Sequence, residues 1–314
     1  MPAQTDIGPA AAPLLAVAFM VMATVFIAAT TLMAKALGTE VLGPSLPPFM
    51  VSFGRYLFGA LTFFAVAAVL RPRLTTAHLP LHLGRIACGW AGVTLMFAAV
   101  ATIPLAEATA ITFLNPIFAM MLAIPVLGEK VGRWRWLAAA IALGGAGLLL
   151  RPGTGAIAPG ALLALAAAVI LGCEVMFIKR LTRREPLMAT LVWANGLGLV
   201  ISGLSVVTIW QAPTAAQWGA MAALGVTMAA AQGCFVNALA RAEASFVTPF
   251  SYLTLVFAGL YDAMLFGVIP DAVGWLGTGL IVTGAALLAW REGRRSSPPV
   301  LPTVPPLPPP SHSH

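Results

Sequence analysis

The chain has 314 residues, of which 60% are hydrophobic and only 9% charged, and it carries a formal net charge of +7 with a mean hydropathy of +0.94. So little polar surface cannot cover a water-soluble globule of this size, which points to a polytopic membrane protein. The positive charge does not call for nucleic acid, because a basic nucleic-acid module needs a soluble domain and no stretch supplies one; attraction to anionic membrane lipid accounts for it.

A bilayer's hydrocarbon core takes roughly 20 helical residues, and backbone groups inside it must be satisfied within the chain, so long apolar runs become helices. Ten such spans are predicted, at 13–37, 47–70, 82–102, 105–127, 132–150, 157–181, 187–210, 216–238, 243–267 and 273–291. The first is read as a retained helix rather than a signal peptide, since residues 1–13 hold no Lys or Arg and nine spans follow. Residues 1–12 form an expected cytoplasmic segment. In the fourth span Pro116 and Pro125, and in the ninth Pro249, are expected to kink or break the helix and free carbonyl groups. Cys88, Cys173 and Cys234 fall inside spans and read as small apolar packing residues, so no disulfide framework, metal site or cofactor is expected. After the last span, residues 292–314 hold eight prolines between Pro298 and Pro310 and predict an extended, disordered tail.

The spans echo one another. Trp136–Leu150 aligns without gaps on Trp275–Ala289, pairing Trp136 with Trp275 and Gly145 with Gly284, and Ala106-Glu107-Ala108-Thr109 matches Ala242-Glu243-Ala244-Ser245. The chain therefore divides into a first five-helix repeat, 13–150, and a second, 151–291. Five is odd, so the second repeat enters the membrane from the opposite face and the two are inverted, an architecture that builds a site near the midplane. Fourteen of the 17 basic residues fall on the side shared by the two termini, which predicts cytoplasmic termini. The expected fold class is thus an all-α integral membrane protein with ten transmembrane helices in two inverted repeats.

Ionisable groups within the hydrocarbon cost a few kcal/mol each, so every one is a functional candidate. Arg55, eight residues into the second span, presents a planar fork of donors that suits a substrate carboxylate or phosphate; the alternative is a structural Arg paired with backbone carbonyls. Glu174, two-thirds along the sixth span, suits proton coupling or amine binding, against an interfacial Glu relieved by Lys179 or Arg180. Asp262 lies near the outer end of the ninth span and reads first as a residue that simply faces water, with a site role as the lesser alternative. Asn115 and Tyr252, beside the prolines, are candidate polar contacts or interhelical glue. Trp90, Asn195 and Gln232 are weaker candidates. Glu107 and Glu243 read as first-turn residues that complement the helix dipole, and Glu129 with Lys130 as a structural or gating pair.

The stretch Pro104–Ala110 through Phe113–Pro116 to Leu127–Lys130, with the Gly-rich helix ending Leu150-Arg151-Pro152-Gly153, resembles the EamA-type family of the drug/metabolite transporter superfamily. Arg241–Ser245, Pro249–Leu253 and Phe266–Pro270 resemble that family's second repeat, so the likeness covers about residues 13–291. It implies a bacterial inner-membrane transporter of amino acids or other small metabolites. One departure is Val268, where the family's second repeat often has a Glu equivalent to Glu129; a mechanism needing acids at both repeat ends is not expected here. An intramembrane enzyme would need clustered His, Asp or Cys in or beside the helices, and His78 and His82 are placed together on the loop after the second span, with no nearby carboxylate in the sequence to complete a metal-dependent catalyst. The expected partners are a small-molecule substrate and membrane lipid; a homodimer is compatible, though no interface is legible.

Overall fold

A computed structural model of the chain describes residues 13–76, 78–127, 132–149, 158–181, 184–241 and 248–293. Glu129, Lys130, Glu243, residues 1–12 and the Pro-rich tail from 294 onward lie outside them. Regular structure among the described residues is all helical: α1 (Pro13–Gly38), α2 (Pro48–Leu70), α3 (Leu79–Val100), α4 (Leu105–Thr112), α5 (Asn115–Leu127), α6 (Arg133–Leu149), α7 (Pro159–Leu181), α8 (Leu187–Val206), α9 (Ala215–Arg241), α10 (Leu253–Phe266) and α11 (Ala272–Gly293), with short 3-10 turns at Glu40–Leu42 and Thr248–Tyr252. Seven described helical stretches are long and apolar enough to cross a bilayer, with Leu105–Leu122 across α4 and α5 taken as one, and shorter apolar helices cover Trp136–Leu149, Phe250–Phe266 and Ala272–Gly284. Large side chains such as Leu14, Val69, Leu204, Met264 and Ile269 are exposed on the perimeter. A surface that apolar is stable in lipid and not in water.

The prolines act at helix ends more than inside helices. The fourth predicted span is interrupted between α4 and α5, where the Phe113 amide donates to Thr109 and Ala110 carbonyls at 3.0 and 3.1 Å and Leu114 donates to Ile111 at 3.0 Å. Pro116 cannot donate to Thr112, and its ring would clash with that carbonyl, so the helix tightens and restarts at Asn115. Pro116 then occupies the first turn of α5, where a missing donor costs little; only Pro125 sits inside the helix. Pro249 lies in the 3-10 turn before α10, not within an α-helix as the sequence predicts.

The helices pack as α1 with α9 and α10, α2 with α8 and α9, α3 with α7 and α8, α5 with α7, and α6 with α11. The last pair touches backbone to backbone. A Cβ on Gly145 would lie 2.6 Å from the Gly277 carbonyl oxygen, and one on Gly284 2.5 Å from that of Ala138. Glycine alone allows this approach.

Two loop contacts define the ends of the bundle. At one, α9 opens with a capping box: the Gln217 amide donates to Thr214 Oγ1 (3.2 Å) and the Thr214 amide donates to Gln217 Oε1 (2.9 Å). Gln217 Nε2 also donates to the Pro44 carbonyl at 2.7 Å, tying α9 to the α1–α2 connection. The other contact, between the start of α3 and the α7–α8 connection, lies at the far end of α2, whose 23 residues span about 35 Å.

Candidate functional site

Between these ends, α2, α3, α7 and α8 bring charged side chains together inside the bundle. Arg55, the eighth residue of α2, is 7% exposed; its guanidinium lies 4.4 Å from the Tyr56 ring centroid. Its Nη1 is buried and has no hydrogen-bond partner among the described residues. Arg85, on α3, places Nε 3.6 Å from Glu174 Oε1 of α7 and donates from Nη1 to the Thr190 carbonyl of α8 at 3.1 Å. One side chain thus joins three helices. Glu174 feels the charges of both Arg85 and Arg55, and Tyr56 lies within reach of all three groups. Gly89, one turn beyond Arg85, makes the room, since a Cβ there would sit 2.9 Å from Glu174 Oε1.

Trp90 flanks this cluster. It packs against Tyr56, Ile86 and Ala194 and lies 5.8 Å from the Phe49 ring, with Nε1 buried and without a hydrogen-bond partner. Asn195 is buried on α8, but its Nδ2 donates to Leu191 of its own helix at 2.9 Å, so it serves packing against Gly59 of α2. Ser52 and Thr94 bridge α2 and α3 at 2.6 Å. Asn115 comes close through its backbone, its carbonyl lying 3.0 Å from where a Cβ on Gly172 would stand, two residues before Glu174.

The remaining candidates lie elsewhere. Tyr252 packs on Phe113 at 5.6 Å, across the α4–α5 break, and lines a largely apolar cavity of about 810 Å³ with Val256, Leu260 and Trp275. Arg55, Arg85 and Glu174 are not part of that wall. Gln232 has a buried Oε1 without a partner, on α9. Asp262 does not face water. It is 1% exposed, pairs with Lys35 of α1 and accepts the Leu105 amide at the start of α4 at 2.8 Å, while the Lys35 ammonium lies 4.6 Å from the Phe266 ring. Burial of both charges is tolerable because each is paired and hydrogen-bonded. This knot sits at the same end of the bundle as Gln217 and Pro44.

At the opposite end, Glu185 in the α7–α8 connection accepts from Thr76, meets His82 Nε2 at 2.6 Å and His78 Nδ1 at 3.3 Å. Trp193 stacks near His82 at 5.9 Å and donates to Leu74 at 2.8 Å. Burial pushes the Glu185 carboxyl up, but hydrogen bonds from Thr76 and His82, the His82 charge and the His78 bond outweigh it and hold the carboxyl below its usual range. A carboxylate depressed in the folded state adds stability that is complete above its unfolded pKa and is lost as pH falls through its folded one. Glu185→Gln should therefore lower the unfolding temperature at neutral pH, and its deficit against wild type should shrink only below the ordinary carboxylate range. Thermal unfolding across a pH series checks this; a deficit that does not vary with pH would refute it.

Sequence reasoning missed Arg85 and Lys35. Drawing the third span from residue 82 left Arg85 near a helix end, counted among loop charges, yet it is the seventh residue of α3 and the argument applied to Arg55 applies to it as well.

Comparison with known proteins identifies what kind of bundle this is. The model of the EamA-like transporter family matches residues 14–151 and again 158–290. The chain belongs to the EamA-like transporter family. It is a multi-pass membrane transporter, as the resemblance in its sequence implies. A riboflavin transporter of Rhizobium johnstonii is 31% identical over 255 residues, covering 81% of this chain and 84% of that one. An S-adenosylmethionine uptake transporter of Rickettsia bellii is 22% identical over 90% of this chain and 95% of its own, and a pseudopaline exporter of Pseudomonas aeruginosa 24% over 78% and 87%. A solved crystal structure at 20% identity superposes with a TM-score of 0.59, covering 90% of this chain and 98% of the other, and it shows the fold alone.

Proposed function

We propose that this EamA-like transporter is a secondary transporter of a small organic metabolite in the bacterial inner membrane, working by alternating access between two inverted five-helix repeats, 13–150 and 151–291, with both termini cytoplasmic. The observation that carries the reading is the buried Arg55–Glu174–Arg85 cluster, to which α2 and α3 of the first repeat and α7 and α8 of the second all contribute. Intramembrane charges of this kind mark substrate and ion pathways. The helix pairing supports the repeat: exchanging α1, α2, α3, α4/α5 and α6 for α7, α8, α9, α10 and α11 turns α1–α9 into α7–α3 and α2–α9 into α8–α3, and maps α2–α8 and α6–α11 onto themselves.

In this reading Arg55 holds an anionic or acceptor group of the solute, Glu174 couples protons or binds an amine, and Asn115 and Tyr252 shape the walls beside the α4–α5 break. Amino acids and related metabolites are the substrate class, and the relatives' riboflavin, S-adenosylmethionine and pseudopaline are the solutes to try first. The test is flux into proteoliposomes with and without an inward proton gradient, comparing wild type with Glu174→Gln. Gradient-stimulated flux should fall about a hundredfold in the variant, a typical loss for a proton-transfer group. Gradient-insensitive exchange that survives in the variant would make Glu174 structural and overturn proton coupling while leaving the transport reading.

A further inference from the structure

We propose that Arg85 determines the charge specificity of this site, turning it against cations and toward flat, acceptor-rich solutes that are neutral or anionic; the inference rests on the transport reading above and replaces amine binding by Glu174 with its pairing to Arg85. Glu174 is the carboxylate of the cluster, and Arg85 already occupies it at 3.6 Å. A cationic solute must displace a guanidinium that is 9% exposed and tethered to the Thr190 carbonyl. Displacement would leave that guanidinium buried without a counter-charge.

The charges that remain favour the opposite kind of ligand. Arg55 and Arg85 against Glu174 leave one net positive charge at the cluster. The fully buried polar atoms of Arg55 and Trp90 that lack a partner are also donors: Arg55 Nη1 and Trp90 Nε1 have no hydrogen-bond partner among the described residues. Donors buried in this way reward a solute whose carbonyl, ring-nitrogen or phosphate oxygen groups accept from them. Aromatic rings flank the cluster, Tyr56 beneath the Arg55 guanidinium and Trp90 against Phe49, which suits a planar solute.

Binding of three probes to the full-length protein in lipid nanodiscs tests this: riboflavin (neutral), flavin mononucleotide (the same ring with a phosphate) and S-adenosylmethionine (cationic). Wild type should bind both flavins at least about tenfold more tightly than S-adenosylmethionine, a difference of about 1.4 kcal/mol. Arg85→Gln frees Glu174, and should gain S-adenosylmethionine affinity about tenfold and lose flavin mononucleotide affinity by a similar factor. The gain should vanish in Arg85→Gln/Glu174→Gln, and Arg85→Lys should keep the wild-type order. The double variant removes both members of the Arg85–Glu174 pair, leaving neither buried without the other, so it reports if Arg85→Gln alone does not fold. Tighter binding of S-adenosylmethionine than of flavins by wild type, or a ratio of S-adenosylmethionine to flavin mononucleotide affinity unmoved by Arg85→Gln, overturns the inference and leaves the site in place. Flavin affinities unmoved by Arg55→Gln, Arg85→Gln and Glu174→Gln alike would instead remove solute binding from this cluster, and the proposed site with it.

Discussion

Replacing Asp262 with alanine should destabilise the folded protein by about 3–5 kcal/mol, the usual cost of removing one partner from a buried ion pair. Asp262 and Lys35 have side chains only 2% and 9% exposed, so water cannot take over the lost interaction. The carboxylate also accepts the Leu105 amide, and its removal strands an N–H at the start of α4 as well as an ammonium at the end of α1. The measurement is thermal unfolding in detergent micelles. The double variant Lys35→Met/Asp262→Leu removes both charges and should recover most of the loss, leaving the orphaned amide as the residual. A single variant as stable as wild type would mean that the pair is not formed in solution.

Gly284→Leu should be comparably damaging, for a steric reason. The first carbon of any side chain at 284 would meet the Ala138 carbonyl oxygen at 2.5 Å and the Ala142 amide nitrogen at 2.8 Å. These are backbone atoms of α6, which cannot turn aside as a side chain can, so the two helices must separate. Overpacking ordinarily costs about 1–3 kcal/mol and more where the obstruction is rigid, and this substitution should lie at or above the upper end. Gly279→Leu is the control. It places the same leucine on the same helix where nothing lies within 4 Å of the new Cβ, and its unfolding temperature should match wild type.

How far the sequence could be read follows from what kind of signal each feature leaves. Apolar length survives in one dimension, and so most of the predicted spans lie within a few residues of the observed helices, including the break prepared by Pro116, whereas among the described residues the α-helix of the ninth, 243–267, starts only at Leu253. Arg55 was legible because a lone cation deep in an apolar run stands out. Glu174 stands out for the same reason, but Arg85 does not. The partner of Glu174 comes from α3, 89 residues away, and no local spacing announces that α3 packs on α7; the nearer Lys179 and Arg180 were the alternatives sequence proximity offered. Asp262 reads as a boundary residue until α1 and α4 are seen to converge on it. Tyr252 shows the converse: its place beside a proline groups it with Arg55 and Glu174 in the sequence, whereas in the fold its ring packs on Phe113 across the α4–α5 break.

The pairing of α1 with α9 and of α3 with α7 and α8 means that the chain's two halves are interlaced rather than set side by side. Each packed group of helices is therefore chimeric, assembled from segments encoded in both parts of the sequence. A chain cut between residues 150 and 158 would yield two fragments each lacking the helices its own members pack on, and neither could mature without the other. For a mutational map, the neighbours that compensate a damaging change in one half are to be sought in the other.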